Sequence, residues 1–367
     1  MNEPLAPTGF LPKGYQSVAE QLQENAARLP TEPALISIED DAILTWQQLY
    51  SITTKLGYWL RDKGITANDR IAVLGENSLE LLILYYGIQA YGATYCTINT
   101  EVNPHHLQEM LDRIQPKLVF VDYNLDRKIL NLCKPENLWV FKSFAEDEGF
   151  FTELVDRPNS PVLEALNEPE DRSVISFTSG TSAQPKGVLH CFSNYYAIAQ
   201  HQQERWSLTE HDRVLEFRSF SWASAHMLSL NSILLTGAKL VFAKRYSRSR
   251  FLGWIEQYNP TVIVAVPTVI NLLLEEPPKN PKLAFRGVRF ISCSTAPLMP
   301  DQHRRFENTY GIPLVQLYGM SEGGVICANY PENRRIGSVG KPGLYHEISI
   351  KDSDGRNLAP GEIGEIE

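Results

Sequence analysis

Short apolar runs rich in β-branched residues alternate along this chain with longer segments whose apolar positions recur every three or four residues. The first pattern suits strands buried on both faces, and the second suits helices with one apolar stripe. The chain accordingly predicts strands over 70–74, 93–98, 117–121, 174–177, 214–217, 239–243, 262–266, 288–293 and 314–317. It predicts helices over 18–29, 46–63, 79–91, 105–114, 194–204, 248–258, 268–275 and 300–310. Such alternation implies an α/β fold of mainly parallel sheets covered by helices. The most apolar stretch, 81–96, is interrupted by Gly87, Gln89 and Gly92, which makes it too short and too broken to span a bilayer. It reads as a buried helix running into a strand.

The segment 145–172 is acidic and irregular and contains Pro158, Pro161 and Pro169, which marks a connection between two α/β halves. After Tyr330 the pattern changes to short Gly-rich and Pro-rich strands, from GSVGKPG to the final GEIGEIE. The expected subdomains are therefore 1–172, 173–330 and a partial small β unit over 331–367. The last residues, 362–367, alternate apolar and acidic with no turn residue after them, which reads as a truncation.

Composition narrows the partners. The 367 residues carry 34 basic and 43 acidic side chains, a net charge of -9, which argues against nucleic acid or an anionic membrane as the main partner. Cys96, Cys133, Cys191, Cys293 and Cys327 are widely spaced, odd in number and form no CxxC pair, so neither a zinc site nor a disulfide framework is expected. The N-terminus MNEPLAPTGF is neither basic nor followed by an apolar signal core, and a reducing cytoplasm is the expected compartment.

The strongest chemical signal is Phe177-Thr-Ser-Gly-Thr-Ser-Ala-Gln-Pro-Lys-Gly-Val188. An apolar strand delivers the hydroxyls of Thr178, Ser179, Thr181 and Ser182. Gly180 lets backbone N–H groups approach an anion, and Lys186 adds a point charge suited to polyphosphate. The loop is not a Walker A motif: Pro185 stands where that motif needs glycine, and Gly187 follows the lysine in place of Ser or Thr. A Ser/Thr-rich surface loop is the bland alternative, but this order of Gly, Pro and Lys after a strand is uncommon in such loops. Neither GxSxG nor HExxH occurs, which disfavours hydrolase chemistry.

This loop resembles the signature of the adenylate-forming superfamily, which comprises acyl-CoA synthetases, nonribosomal peptide adenylation domains and firefly luciferase. Ala183 and Ser182 depart from the Gly and Thr usual there. Weaker echoes follow in the family's order: DRIAVLGEN at 69–77, YGATYCTIN at 91–99, AVPTVINLLL at 265–274, STAPL at 294–298, YGMSE at 318–322 and GSVGKP at 337–342. The resemblance implies that Thr295, Ala296 and Pro297 line adenine. It places Tyr318 against the base, Gly319 and Met320 beside nucleotide and acid, Ser321 at the α-phosphate, and Glu322 with Thr181 on Mg²⁺. It makes Lys186, Thr181 and Glu322 the catalytic set, and lets Trp222, Ala223 and Ser294 face the acid.

Amino-acid-activating relatives carry Asp at the position of Ala223, so the expected substrate is a carboxylic acid without an α-amino group. Core packing is nearly as good a reading of Trp222. His190 and His226 read as structural or polar pocket residues, not bases. The implied reaction is ATP-dependent formation of an acyl-adenylate, followed by thioester formation with CoA. The alternatives are a carrier-protein thiol as acceptor, a luciferase-like oxygenase, or a non-catalytic nucleotide-binding fragment; a homodimer is left open. The family's ribose-binding Asp and its C-terminal lid domain with a catalytic lysine would lie beyond residue 367.

Overall fold

The computed structural model describes residues 11–125, 129, 131–132, 137–143, 149–158, 161–178 and 185–367. Its architecture follows from which strands can be buried on both faces. Among the described residues, a six-stranded sheet runs in the order β6-β5-β3-β4-β7-β8. It comprises β3 (Arg70–Leu74), β4 (Thr94–Thr97), β5 (Leu118–Asp122), β6 (Leu138–Phe141), β7 (Arg172–Thr178) and β8 (Lys186–Cys191). All neighbours are parallel except β8, which returns antiparallel on β7 with Thr178 opposite Lys186.

A nine-stranded sheet runs β15-β14-β13-β12-β11-β9-β10-β1-β2. Its parallel centre is β1 (Pro33–Ser37), β10 (Lys239–Phe242), β9 (Arg213–Glu216), β11 (Val262–Ala265), β12 (Phe290–Cys293) and β13 (Leu314–Met320). Antiparallel β2 (Ala42–Thr45) closes one edge, and β14 (Gly324–Ala328) with β15 (Lys341–Pro342) closes the other. Sheet membership does not follow chain order. The early β1 and β2 join the later sheet, while β7 and β8 lie with the earlier one. Past β15, a short ladder pairs β16 (Ile350–Lys351) with β17 (Glu365–Ile366).

Helices α1 (Val18–Arg28), α2 (Trp46–Asp62) and α3 (Leu79–Tyr91) pack together between the sheets. Every residue of α3 is buried. Its sequence is apolar all round, with no polar face to offer to water, which is the pattern of a central helix. Ser78 caps it, and Gly92 ends it at a φ of 98°, where a Cβ would run into the backbone of Asn167. Tyr85 Oη donates to Asn231 Oδ1 at 2.7 Å and Tyr86 Oη to the Leu230 carbonyl at 2.9 Å, so these two phenols of α3 are satisfied by the later half of the chain. The expected buried helix running into a strand is thus α3 followed by β4.

One apolar core joins the facing surfaces of the two sheets around these helices. A second covers the outer face of the nine-stranded sheet, and a third lies between the six-stranded sheet and α4 (Pro104–Ile114). No helix among the described residues is long and apolar enough to cross a membrane.

Candidate functional site

Parallel strands leave their unpaired carboxyl ends on one side of a sheet, and ligands collect there. Here the ends of strands from both sheets face one cavity of about 700 Å³. Strand β4 contributes Thr97 and, just past its end, Asn99; β7 contributes Phe177 and Thr178. Ser294 and Thr295 follow β12, and Leu317, Gly319, Met320 and Ser321 come from the end of β13. The segment after β9 adds Ser221, Trp222, Ala223 and Ser224, with Met227 and Leu228 on the π-helical turn His226–Leu230.

Of the expected site residues, Thr178, Trp222, Ala223, Ser294, Thr295, Gly319, Met320 and Ser321 share this cavity. Ser179, Gly180, Thr181 and Ser182 lie outside the described residues. Ala296 and Pro297 are exposed and Tyr318 is half-buried, and none of the three is on the cavity wall. Lys186 is exposed at the start of β8. Glu322 is exposed on a neighbouring cavity of about 330 Å³, behind the turn that carries Ser321. Trp222 is 42% exposed and Met320 45% exposed, so both are large apolar side chains left open towards the cavity.

Two features mark the cavity as built for a polar ligand. Ser294 is buried, yet its Oγ has no hydrogen-bond partner among the described residues. Thr295 holds a φ of 73°, a conformation costly for a β-branched residue.

The wall bearing Trp222 rests on a buried ion pair. Arg218 Nη2 lies 2.6 Å from Glu216 Oε2, and Nε lies 3.0 Å from Oε1; both side chains are almost wholly buried. Ser229 Oγ donates to the same carboxylate at 2.7 Å. The guanidinium also reaches Ser224, donating to its Oγ at 3.2 Å and its carbonyl at 3.3 Å. Asn77 braces the loop from α3's side: its Nδ2 donates to the Arg218 carbonyl at 2.8 Å, and its Oδ1 accepts from the Phe220 N–H at 2.7 Å. His226 Nε2 donates to the Phe220 carbonyl at 2.6 Å. Burial pushes the His226 imidazole down to about 4, which fits a neutral structural donor.

The turn bearing Ser321 and Glu322 is held differently. His190, on β8, donates through Nε2 to the Ser321 carbonyl at 2.6 Å, and His346 donates to the Gly323 carbonyl at 3.1 Å. Burial lowers the His190 pKa as well. Where β13 meets β14, a Cβ on Gly319 would overlap the Gly324 carbonyl, so only glycine allows that close approach. Arg113 of α4 donates to the Pro185 carbonyl at 2.8 Å, fixing the far end of the segment from Thr178 to Lys186.

Val102, His106 and Met110 also line the cavity, and sequence reasoning did not find them. The signal was available in part: His106 and Met110 are one helical turn apart, just beyond an expected strand end.

This fold and cavity define an adenylate-forming enzyme. Residues 22–367 match the family described as AMP-binding enzyme, and the chain belongs to that family. Membership, with relatives named as CoA ligases, makes it an acid-activating ligase of the ATP-dependent kind, whose CoA-ligase members also use Mg²⁺ and CoA. It is 27% identical over 367 residues to the sulfoacetate–CoA ligase of Cupriavidus necator, covering 97% of this chain and 70% of that enzyme. It is 27% identical to a part of bacitracin synthase 2 of Bacillus licheniformis, covering 96% of this chain and 13% of that protein. A crystal structure of an anthranilate CoA ligase with anthranoyl-AMP superposes with a TM-score of 0.86 at 22% identity, over 96% of this chain and 69% of that one, a likeness of fold.

Proposed function

We propose that this chain binds ATP and a carboxylic acid lacking an α-amino group, and joins them as an acyl-adenylate for transfer to the thiol of CoA. A carboxylate oxygen attacks the α-phosphorus of ATP, and the bond to the bridging oxygen breaks to release pyrophosphate. The CoA thiolate then attacks the acyl carbon, AMP departs, and the thiol proton passes to solvent. No protein nucleophile is needed, because positioning and charge neutralisation supply the catalysis.

The observation that carries this reading is the single cavity shared by Thr178, the Ser294–Thr295 pair, the Gly319–Ser321 turn and the Trp222 wall. Thr178 and Ser321 offer hydroxyls to phosphates, and the unpartnered Ser294 Oγ offers one to the nucleotide or the acid. Trp222 and Ala223 form the acid's wall, with Tyr318 behind the base. Ala296 and Pro297 are proposed for adenine contact at the cavity rim. Lys186, with Thr181 and its neighbours Ser179, Gly180 and Ser182, holds the departing pyrophosphate.

Glu322 suits Mg²⁺, because that ion is commonly held by one or two carboxylates together with substrate phosphates and water. Bound there with Thr181, Mg²⁺ would neutralise charge on the transferring phosphate. Transfer to a carrier-protein thiol is the second reading, favoured by the match to part of bacitracin synthase 2.

The test is Lys186→Ala with ATP and AMP titrated by calorimetry. ATP affinity is expected to fall far more than AMP affinity, because AMP lacks the distal phosphates. Equal losses would remove Lys186 from this role.

A further inference from the structure

Strand β8 carries two polar residues on one face. Lys186 opens the strand and His190 stands four positions later, so the two side chains leave the same side of it, roughly 13 Å apart along its axis. The pairing with β7 shows which side that is. Lys186 lies opposite Thr178, and His190 lies opposite Val174, which belongs to the core between the sheets. Gly187 and Leu189, on the other face, lie opposite Phe177 and Ile175, which pack against the core under α4. His190 therefore faces the nine-stranded sheet, and there its Nε2 meets the Ser321 carbonyl at 2.6 Å. A carbonyl only accepts, so this nitrogen carries the proton. Among the described residues it is the one hydrogen bond that joins β8 to the turn from Leu317 to Val325. His346 also donates to this turn, but from the segment after β15, so it does not tie the turn to β8. His190 is 3% exposed, with the Tyr195 ring 5.1 Å away, which leaves it little freedom to follow a displaced turn.

We infer that His190 is a positioning residue: by holding β8 against the turn it sets the separation between Lys186 and Glu322. This rests on the reading above, in which Lys186 holds the departing pyrophosphate and Glu322 holds Mg²⁺, and deepens it. Both are long, exposed side chains, so their spacing depends on the two backbone segments that carry them. His190 is the direct link between those segments. Only a nucleotide with distal phosphates senses the spacing. ATP spans it, and AMP does not.

The experiment reads the ratio of ATP to AMP affinity by calorimetry in excess Mg²⁺, with unfolding curves to confirm the fold. A Ser321 contact to the α-phosphate is common to both nucleotides and cancels in the ratio. His190→Leu is expected to lower the ratio about tenfold, the size of effect that one ordinary hydrogen bond supports. His190→Gln, whose amide reaches towards the same carbonyl, is expected to restore most of it. In a Lys186→Ala chain the leucine change is expected to add little, because the group that it places is gone. If the leucine variant does not fold, His190→Asn replaces it, since its shorter side chain leaves the carbonyl unmet. A ratio that this variant leaves unchanged while Lys186→Ala lowers it overturns the inference and leaves the phosphate reading standing. Losses that add in full in the double variant, or a glutamine no better than leucine, overturn it as well. If Lys186→Ala itself leaves the ratio unchanged, the phosphate reading fails and the inference falls with it.

Discussion

Two walls of one cavity are built on different physical principles. The wall proposed for the acid, from Arg218 to Leu228, stands on a charged pair in an interior that would otherwise reject charge. The turn proposed for the nucleotide, from Leu317 to Val325, has no such pair beneath it among the described residues. It is held by imidazole donors on two of its carbonyls and by a backbone approach so close that Gly319 has no room for a Cβ. The acid wall is fixed by electrostatics and fails when one partner is removed. The turn is fixed by shape and fails when an atom is added. On the proposed reading, a site that admits an acid yet holds a common nucleotide gains from that division. Side chains on that wall are then expected to change without disturbing the turn.

The largest effect that separates the two walls is expected from Glu216→Gln. It leaves the Arg218 guanidinium buried without its counter-charge, which typically costs about 3–5 kcal/mol. Denaturant unfolding measures it, and Arg218→Met in the same chain is expected to recover much of the loss. A single-variant cost below about 1 kcal/mol would show that the pair does not hold the wall.

Next comes pH. His226, beneath the acid wall and ringed by Tyr85, Tyr95 and Tyr195, is pushed down to about 4 by burial. Between an ordinary histidine value and about 4, the unfolded chain binds this proton and the folded chain does not, so stability falls as pH falls through that window. By pH 4 the loss from this one group reaches up to about 3 kcal/mol. A His226→Asn variant is expected to flatten the slope of stability against pH over that window, and an unchanged slope would remove His226 as its source.

The turn answers to added volume. Gly319→Ala pushes a methyl against the Gly324 carbonyl, and overpacking of this kind costs about 1–3 kcal/mol. Its signature is expected in ATP titrations, with weakened nucleotide binding and an unchanged ranking of acid tails. A change in tail ranking would show that the two walls are mechanically coupled after all.

Much of this arrangement was legible in the sequence, and the limits of that legibility have physical causes. Helix α3 was readable because a predominantly apolar stretch closed by glycine has few alternatives. The helix Pro300–Tyr310 also matched its expected limits, between Pro300 and the left-handed Gly311. Strands β1 and β2 were missed, although strands no longer than they are were found elsewhere in the chain. What makes β1 a strand is pairing with β10, some two hundred residues later, which no local pattern reports. The helix Phe150–Asp156 was hidden in the acidic stretch read as a connection, where seven residues give a weak periodic signal.

At the site, the motif residues were visible, but the Glu216–Arg218 pair was not. Two charged residues bracketing an apolar one at a strand end look like a solvated edge until the burial is known. The histidine contacts to the turn were equally silent, since they join positions more than a hundred residues apart or lie on an irregular segment.

The smallest expected effect is at Thr295, and its sign makes it informative. The residue sits on the cavity wall with a φ of 73°. For a residue with a Cβ, that region costs about 1–2 kcal/mol, and branching at Cβ adds to the conflict. Thr295→Gly removes the strain but adds freedom to the unfolded chain, worth about 0.5–1 kcal/mol in the opposite direction. The net expectation is stability unchanged or raised by at most about 1 kcal/mol, where most substitutions at a well-packed position lower it. If the strained backbone and the Thr295 hydroxyl serve the nucleotide, the same variant weakens ATP and AMP alike, since both carry the adenosine that this segment would face. Thr295→Ala separates the contributions: it keeps part of the backbone conflict and loses the hydroxyl, so it is expected to match the glycine variant in lost affinity without its gain in stability. Unfolding curves and AMP titrations on the two variants settle the point, and undiminished AMP binding by both would show that the strain at Thr295 serves the fold of the turn after β12 and not the ligand.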